Sequence, residues 1–360
     1  MKKMRIVIPI WRLGKEGGQR VLANLANEWK KQGYHVLFLC HEKTIAPYYP
    51  VNCEIKYVNW KGNGVERSDA KPAKNRVQQA ISFVRTYYAL KNGMKKVKNE
   101  YDVAIANYSL TAYAVTRSGI KNKFYYIQAY EAWETENQNI YLKIFNYSVR
   151  KTYGLPLIRI VNANIYKSYK EIHSDYVIPP GLDMDLYYPK SEYWNRRCAI
   201  TVGCIGREEE WKGSSDVAKA VELLQENGVD VNFKVAFNPV KCSKYELVMP
   251  DGDECVSDFY RHLDILVAPG KLQLGAIHYP VIEAMACGTP VITTGYYPAN
   301  NENAYIVPVS KPEEIARTII YISENYDEAI YKAKNALKEI RRFDWKIVSK
   351  DFLKIVDSNI

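Results

Sequence analysis

Two clusters in this 360-residue sequence combine residue types and spacings that suit chemistry. In the first, the apolar run Cys198–Ile205 leads into Gly206-Arg207 and then Lys212-Gly213. Two cations set this close together, just past the carboxyl end of a strand, suit a diphosphate. Arginine offers a planar fork of donors and lysine a compact point charge. The same residues also read as a solvated loop, balanced by Glu208, Glu209 and Glu210. The second cluster is Gly275-Ala276-Ile277-His278-Tyr279-Pro280-Val281-Ile282-Glu283. It reads as a loop entering a helix at Pro280, where proline's fixed φ is favourable. A helix start presents N–H groups and a partial positive charge to phosphate. Glu283, in the first turn, can accept hydrogen bonds from a ribose diol, or can simply complement the helix dipole. His278 reads either as a ligand contact or as a packing residue of the loop.

These residues need a scaffold, and the alternation of apolar runs with helical patterns supplies one. In the first half, strands are expected at Met4–Ile10, His35–Cys40, Cys53–Val58, Asp102–Asn107, Lys123–Gln128 and Ile158–Asn162. Helices fit after Gly17-Gly18 and at about 74–98, 110–117 and 138–153. The second half continues with strands at Cys198–Ile205, Val231–Ala236, Ile265–Ala268, Pro290–Thr293 and Ala304–Val307. Its helices are expected at Ser214–Glu226, Val256–His262 and Val281–Cys287, with three more at about 311–325, 327–341 and 345–357. Such alternation implies βαβ units and parallel sheets, hence an α/β chain of two Rossmann-like domains facing a cleft. Ile178-Pro179-Pro180-Gly181 marks the boundary. The first domain is expected over 1–178 and the second over 179–344, with the terminal helix 345–360 packing back on the first. Open parallel sheets bind ligands at the carboxyl ends of their strands.

Composition bounds the partners. With 47% apolar and 25% charged residues, the chain is an ordinary globular one, neither disordered nor fibrous. Its net charge of +10 divides unevenly: residues 1–178 carry +16 and residues 179–360 carry −6. A basic half suits an anionic membrane surface or phosphorylated ligands as well as nucleic acid, and no nucleic-acid motif accompanies the charge. The segment Lys74–Lys98 sets Val77, Ile81, Val84 and Tyr88 on one helical stripe amid lysines and arginines. That stripe is expected to cover the first sheet, with docking on an anionic membrane as the other reading. MKKMR precedes an apolar run too short for a secretory leader, and no stretch is long and apolar enough to span a bilayer. Seven scattered cysteines without a C-x-x-C pair read as reduced thiols. The expected place is therefore the cytoplasm, with peripheral membrane attachment as an extension. The D-x-D pairs Asp183/Asp185 and Asp251/Asp253 and five unclustered histidines give no metal site, and no cofactor is expected.

Arg207, Lys212-Gly213 and the run Pro280-Val281-Ile282-Glu283-Ala284-Met285-Ala286-Cys287-Gly288-Thr289-Pro290-Val291-Ile292 together resemble the donor-site signature of family 4 retaining glycosyltransferases of the GT-B fold. Gly17-Gly18 resembles that family's first loop. Ile178-Pro179-Pro180-Gly181-Leu182-Asp183 looks like its interdomain crossover, and Phe343-Asp344-Trp345 like the start of its returning helix. The resemblance implies sugar transfer from a nucleotide diphosphate donor of UDP, GDP or dTDP type to a glycan or lipid-linked acceptor in bacterial surface polysaccharide synthesis. By position, Arg207 and Lys212 would hold the leaving diphosphate and Glu283 the ribose. Gly275, Ala276, Ile277, His278, Tyr279 and Val281 would line phosphate and sugar. Gly17 and Gly18 would border the reacting centre, and Tyr130 and Glu131 the acceptor.

Two positions depart from the family pattern. The position eight residues before Glu283, where the family usually has a Glu, is Gly275. A frequent first-domain His is here Gln128, which can bond a sugar but cannot act as a base. The stretch Gln128-Ala129-Tyr130-Glu131 resembles bacterial rhamnosyltransferases that use dTDP-rhamnose. A non-catalytic nucleotide or glycan binder and a nucleotide-sugar epimerase of the same fold are the competing readings. An oxidoreductase fits less well, because Gly14-Lys15-Glu16-Gly17-Gly18 is not G-x-G-x-x-G.

Overall fold

The computed structural model describes residues 3–70, 73–132, 140–195 and 198–360. The expected helix over 138–153 begins in part outside the described residues. The chain divides into two compact units, Met1–Gly181 with Trp345–Ile360, and Leu182–Asp344.

Unit 1 is built on strands β1 (Arg5–Ile10), β2 (His35–His41), β3 (Glu54–Val58), β4 (Val103–Ala106), β5 (Asn122–Ile127), β6 (Ile158–Val161) and the short β7 (Tyr176–Val177). They form one parallel sheet in the order β3-β2-β1-β4-β5-β6-β7, with Ile6 paired to Val36 on one side and Val103 on the other. The runs RIVIPI and VAIA are apolar almost throughout because helices cover both faces. Helices α1 (Gly17–Lys31), α2 (Arg76–Lys96), α3 (Ser109–Thr116) and α4 (Ile140–Thr152) supply that cover. Helix α1 buries Val21, Leu22, Leu25, Ala26 and Trp29 on one face and stops before Gly33, whose φ of 85° suits glycine.

Helix α2 departs from the expected packing. Its buried residues are Thr86, Ala89, Leu90, Gly93 and Met94. The Val77, Ile81, Val84 and Tyr88 stripe, expected to cover the sheet, is instead 67%, 47%, 50% and 44% exposed. Residues 74–82 are exposed on every side of the helix, and only its carboxyl-terminal half packs inward. There a Cβ on Gly93 would lie 3.0 Å from a Leu39 methyl, so glycine lets the helix approach the sheet closely.

Unit 2 carries β8 (Ile200–Gly206), α5 (Ser214–Glu226), β9 (Val231–Phe237), β10 (Glu246–Val248), α6 (Gly252–Arg261) and β11 (Ile265–Ala268). It continues with α7 (Tyr279–Ala286), β12 (Val291–Thr293), β13 (Tyr305–Ile306), α8 (Pro312–Glu324) and α9 (Tyr326–Ile340). Its parallel sheet runs β10-β9-β8-β11-β12-β13, so the order reverses between β8 and β11. That reversal is where open α/β sheets form a ligand crevice. Tightly packed Val202, Cys204, Val217, Val221, Ile265, Val267 and Ile292 lie beneath it.

The last helix, α10 (Trp345–Asp357), belongs to unit 1. Phe352 meets Trp29 of α1 edge-on at 5.1 Å and Tyr126 of β5 at 5.2 Å. The Trp29 indole N–H donates to the Ser349 carbonyl at 3.0 Å. Among the described residues no helix is long and apolar enough to cross a membrane.

Candidate functional site

The strand-order reversal in unit 2 brings both clusters to one place. Arg207 follows the last residue of β8, and Pro269-Gly270-Lys271 follows β11. A narrow pocket between them is lined by Arg207, Lys212, Ser214, Pro269, His278 and Pro280, among others. Glycine is required twice on its rim. A Cβ on Gly206 would lie 1.8 Å from the Asn238 carbonyl oxygen, and one on Gly213 would lie 2.1 Å from that of Pro269. Gly213 also has a φ of 80°, as it ends a turn of 3-10 helix over Glu210–Lys212 and starts α5. This tight corner fixes the direction from which Lys212 enters the pocket. The Ser214 hydroxyl donates to the Arg207 carbonyl at 3.1 Å and pins the other end.

The two cations are poised and unneutralised. Among the described residues neither makes an ion pair with a carboxylate. Burial and the nearby Arg207 lower the Lys212 ammonium to about 8, against a smaller opposing pull from Glu209. Its Nζ lies 4.1 Å from the centre of the Trp211 ring. His278 sits beneath them, and its Nδ1 is buried with no hydrogen-bond partner. Burial, Lys212 and Arg207 together push its pKa well down, so the imidazole is neutral. Its ring packs on Tyr296 at 4.6 Å. With two cations and a buried ring nitrogen in its lining and no carboxylate, the pocket suits an anion.

The loop before α7 is held by its own backbone. The Gly275 amide donates to the Gly295 carbonyl at 2.9 Å, Ala276 to Gln273 at 3.0 Å, and Val281 to His278 at 3.0 Å. Ile277 bridges to Tyr297. The expected phosphate contacts through Ala276 and Val281 would therefore have to displace bonds already made. Gly275 has a φ of 89°, a conformation that a Glu would occupy only with strain. Tyr279 opens α7, one residue before the expected Pro280 start. Glu283 is 4% exposed, and its carboxylate accepts the Tyr260 hydroxyl at 2.9 Å. It is a braced acceptor inside the core rather than a free surface charge.

Sequence reasoning missed three parts of this site. Tyr260 lies 23 residues from Glu283 and Tyr296 lies in a later loop, so no local motif signals either. Lys271 pairs with Asp216 at 3.2 Å, tying the β11 loop to the first turn of α5. Only the sheet order could have brought that pair together.

The expected unit 1 residues also lie at carboxyl ends of strands. Gln128 follows β5. Its amide donates to the Gly18 carbonyl at 3.3 Å while its own oxygen is buried without a partner. A Cβ on Gly18 would lie 3.3 Å from that amide, and one on Gly17 would meet nothing within 4 Å. Tyr130 is 5% exposed, stacked on Tyr169 at 3.9 Å and on Tyr153 at 5.7 Å, so its ring faces are taken. The Glu131 carboxylate accepts the Ser109 amide at 3.1 Å, at the start of α3. Both residues are thus spent on packing and capping. A wider depression of about 470 Å³ lies at the amino-terminal strand ends of this sheet, lined by Lys121, Lys123 and Arg159. It is on the edge opposite to where parallel sheets bind ligands. No three His, Cys, Asp or Glu residues gather as metal ligands among the described residues.

Residues 199–325 match the family model described as Glycosyl transferases group 1. A curated relative, probable sucrose-phosphate synthase from Thermosipho melanesiensis, is 24% identical over 202 residues. The match takes in 51% of this chain and 47% of that protein, so the chain spans about half the length of the relative. Among solved structures, sucrose-phosphate synthase from Thermosynechococcus elongatus superposes with a TM-score of 0.74 at 15% identity, covering 99% of each chain. Anabaena HepE in complex with UDP and glucose superposes with a TM-score of 0.71 at 13% identity, covering 99% of this chain and 100% of that one. The fold is the GT-B fold, two Rossmann-like parallel-sheet domains.

Proposed function

We propose that the chain is a retaining glycosyltransferase of the family 4 type, moving a sugar from a nucleotide diphosphate donor to a glycan or lipid-linked acceptor in bacterial surface polysaccharide synthesis. The observation that carries the reading is the pair Arg207 and Lys212, converging without carboxylate partners on one pocket at the strand-order reversal of unit 2. The neighbour solved with UDP and glucose and the family match over this same unit support it.

In this reading unit 2 takes the donor. Arg207 and Lys212 bind the diphosphate, and Glu283, braced by Tyr260, accepts from the ribose. The bond from the anomeric carbon to the diphosphate oxygen breaks as the acceptor oxygen bonds to the same face. The acceptor proton passes to the departing diphosphate, so no protein base is required and Gln128 need only position sugar. The charge that grows on the diphosphate falls on preformed cations, and losing one such contact typically costs about 10²–10³ in rate. Those cations replace a metal ion in the scheme. A dTDP-rhamnose-type donor is one branch of this proposal. The active chain works on the cytoplasmic side of the membrane.

Thermal melts with UDP, GDP, dTDP and CDP test the donor half, because a ligand held by the native state alone raises the melting temperature. One nucleoside diphosphate should give a clear rise, and no rise with any of them refutes the reading. The left-handed Gly275, where the family's Glu would be strained, favours one competitor, a relative that binds donor without turning it over. Release of nucleotide from the donor, dependent on a glycan acceptor, separates the two.

A further inference from the structure

We infer that unit 1 docks on an anionic lipid bilayer through the outer face of α2 together with the neighbouring face of α4. The observation is an apolar surface left uncovered within a basic field. Val77, Ile81 and Val84 stand on consecutive turns of α2 and are about half to two-thirds exposed. Phe83 contacts Phe145 at 5.8 Å, which fixes α4 beside α2. There Ile144 and Tyr147 are 62% and 63% exposed. One turn beyond Tyr88, the Asn92 amide donates to the carbonyl of Trp60, itself 55% exposed. Single exposed apolar residues are ordinary, but a run of them shared by adjoining elements marks an interaction surface.

Charge selects the occupant. Residues 70–99 contain eight lysines and arginines and no acidic residue, and residues 137–170 contain six and none. Arg76, Arg85 and Lys143 are exposed around the patch. Lys91 lies over the Tyr88 ring and Lys151 over the Tyr147 ring, each at 5.1 Å, so rings and cations leave the surface together. Amphipathic rings, short aliphatic side chains and flanking cations are what the boundary between headgroups and acyl chains accepts. A second copy of this chain would set one acid-free basic field against another, and the repulsion opposes such a dimer. Each cation near an anionic leaflet adds about fivefold to affinity, so a handful gives firm but reversible attachment. The inference stands apart from the sugar-transfer reading, because docking needs neither donor nor acceptor.

Sedimentation of the full chain with vesicles tests it. The wild type should pellet with vesicles of phosphatidylcholine and phosphatidylglycerol, stay in solution with phosphatidylcholine alone, and come off as salt rises. Replacing Val77→Ser, Ile81→Ser and Val84→Ser together should weaken binding by about 10-fold or more. Arg76→Glu with Arg85→Glu should weaken it by at least as much. All five positions are exposed, so circular dichroism and melting should not change. Equal binding to both vesicle types, no binding to either, or unaltered binding by both variants overturns the inference. So does a concentration-dependent dimer that the serine variant abolishes, since a second copy would then own the face.

Discussion

The two sheets end differently at the edge where ligands bind. In unit 2 the strands beside the order reversal run out into Arg207 and Lys271, with Lys212 brought in over a glycine corner. In unit 1 the strands beside the reversal, β1 and β4, run out into Trp11-Arg12 and into Asn107, while β5 and β6 run out into the amides Gln128 and Asn162. The Gln128 and Asn162 side-chain oxygens are buried without partners. Yet residues 1–178 carry +16 and residues 179–360 carry −6. Charge balance and charge placement are therefore separate matters. The acidic half holds a few cations where a diphosphate would sit. The basic half spreads cations over outer faces such as those of α2 and α4, and the amides that follow β4, β5 and β6 at its ligand edge suit sugar hydroxyls.

The strongest perturbation should break the frame of unit 1 without touching unit 2. Trp29→Ala removes a buried ring packed on Phe352 and a hydrogen bond to α10. It should cost about 3–5 kcal/mol in chemical unfolding, while nucleotide binding by unit 2 persists at temperatures where the variant stays folded. Next, Arg207→Ala should lower sugar transfer by about 10²–10³, with circular dichroism unaltered.

A smaller effect comes from pH. The Lys212 ammonium is held down to about 8, and a bound diphosphate favours its charged form. Nucleotide affinity should therefore be full below this value. It should fall by about tenfold per pH unit above it, until the neutral form's affinity is reached. Lys212→Arg stays charged and should remove the inflection in a binding profile. The smallest effect belongs to the outer face of unit 1. Val77→Ser with Ile81→Ser should shift stability by no more than about 0.5 kcal/mol and leave nucleotide affinity alone. A large loss there would mean the stripe is core after all, and the contrast between the halves would fail.

How far the sequence could be read follows from the range of the forces involved. Strands such as Ile265–Ala268 and helices such as Ser214–Glu226 stand where periodicity places them, because burial on both faces leaves an uninterrupted apolar run. The short strands Tyr176–Val177 and Glu246–Val248 escaped notice, being edge strands with too few residues to show a pattern. The stripe of α2 was visible but its partner was not, since an apolar face has the same period whether a sheet or a solvent-exposed surface lies against it. Only the carboxyl-terminal half of α2, with Ala89 and Gly93, meets the sheet, and residues 74–82 are exposed on every side. In the site, Arg207 and Lys212 were legible because a short loop joins them. The Lys271–Asp216 pair spans 55 residues and the bracing of Glu283 by Tyr260 spans 23. Each is created by strand order rather than by local spacing. Tyr130 and Glu131 looked available in sequence, and only the structure shows the neighbouring rings and the α3 amide that occupy them.

The most direct test is a calorimetric titration of the preferred nucleoside diphosphate and its monophosphate into the wild type and into the Arg207→Ala, Lys212→Ala double variant. If these cations hold the terminal phosphate, the wild type should bind the diphosphate about 10-fold or more tightly than the monophosphate, and the double variant should bind the two alike. A double variant that still prefers the diphosphate by the wild-type margin would contradict the account.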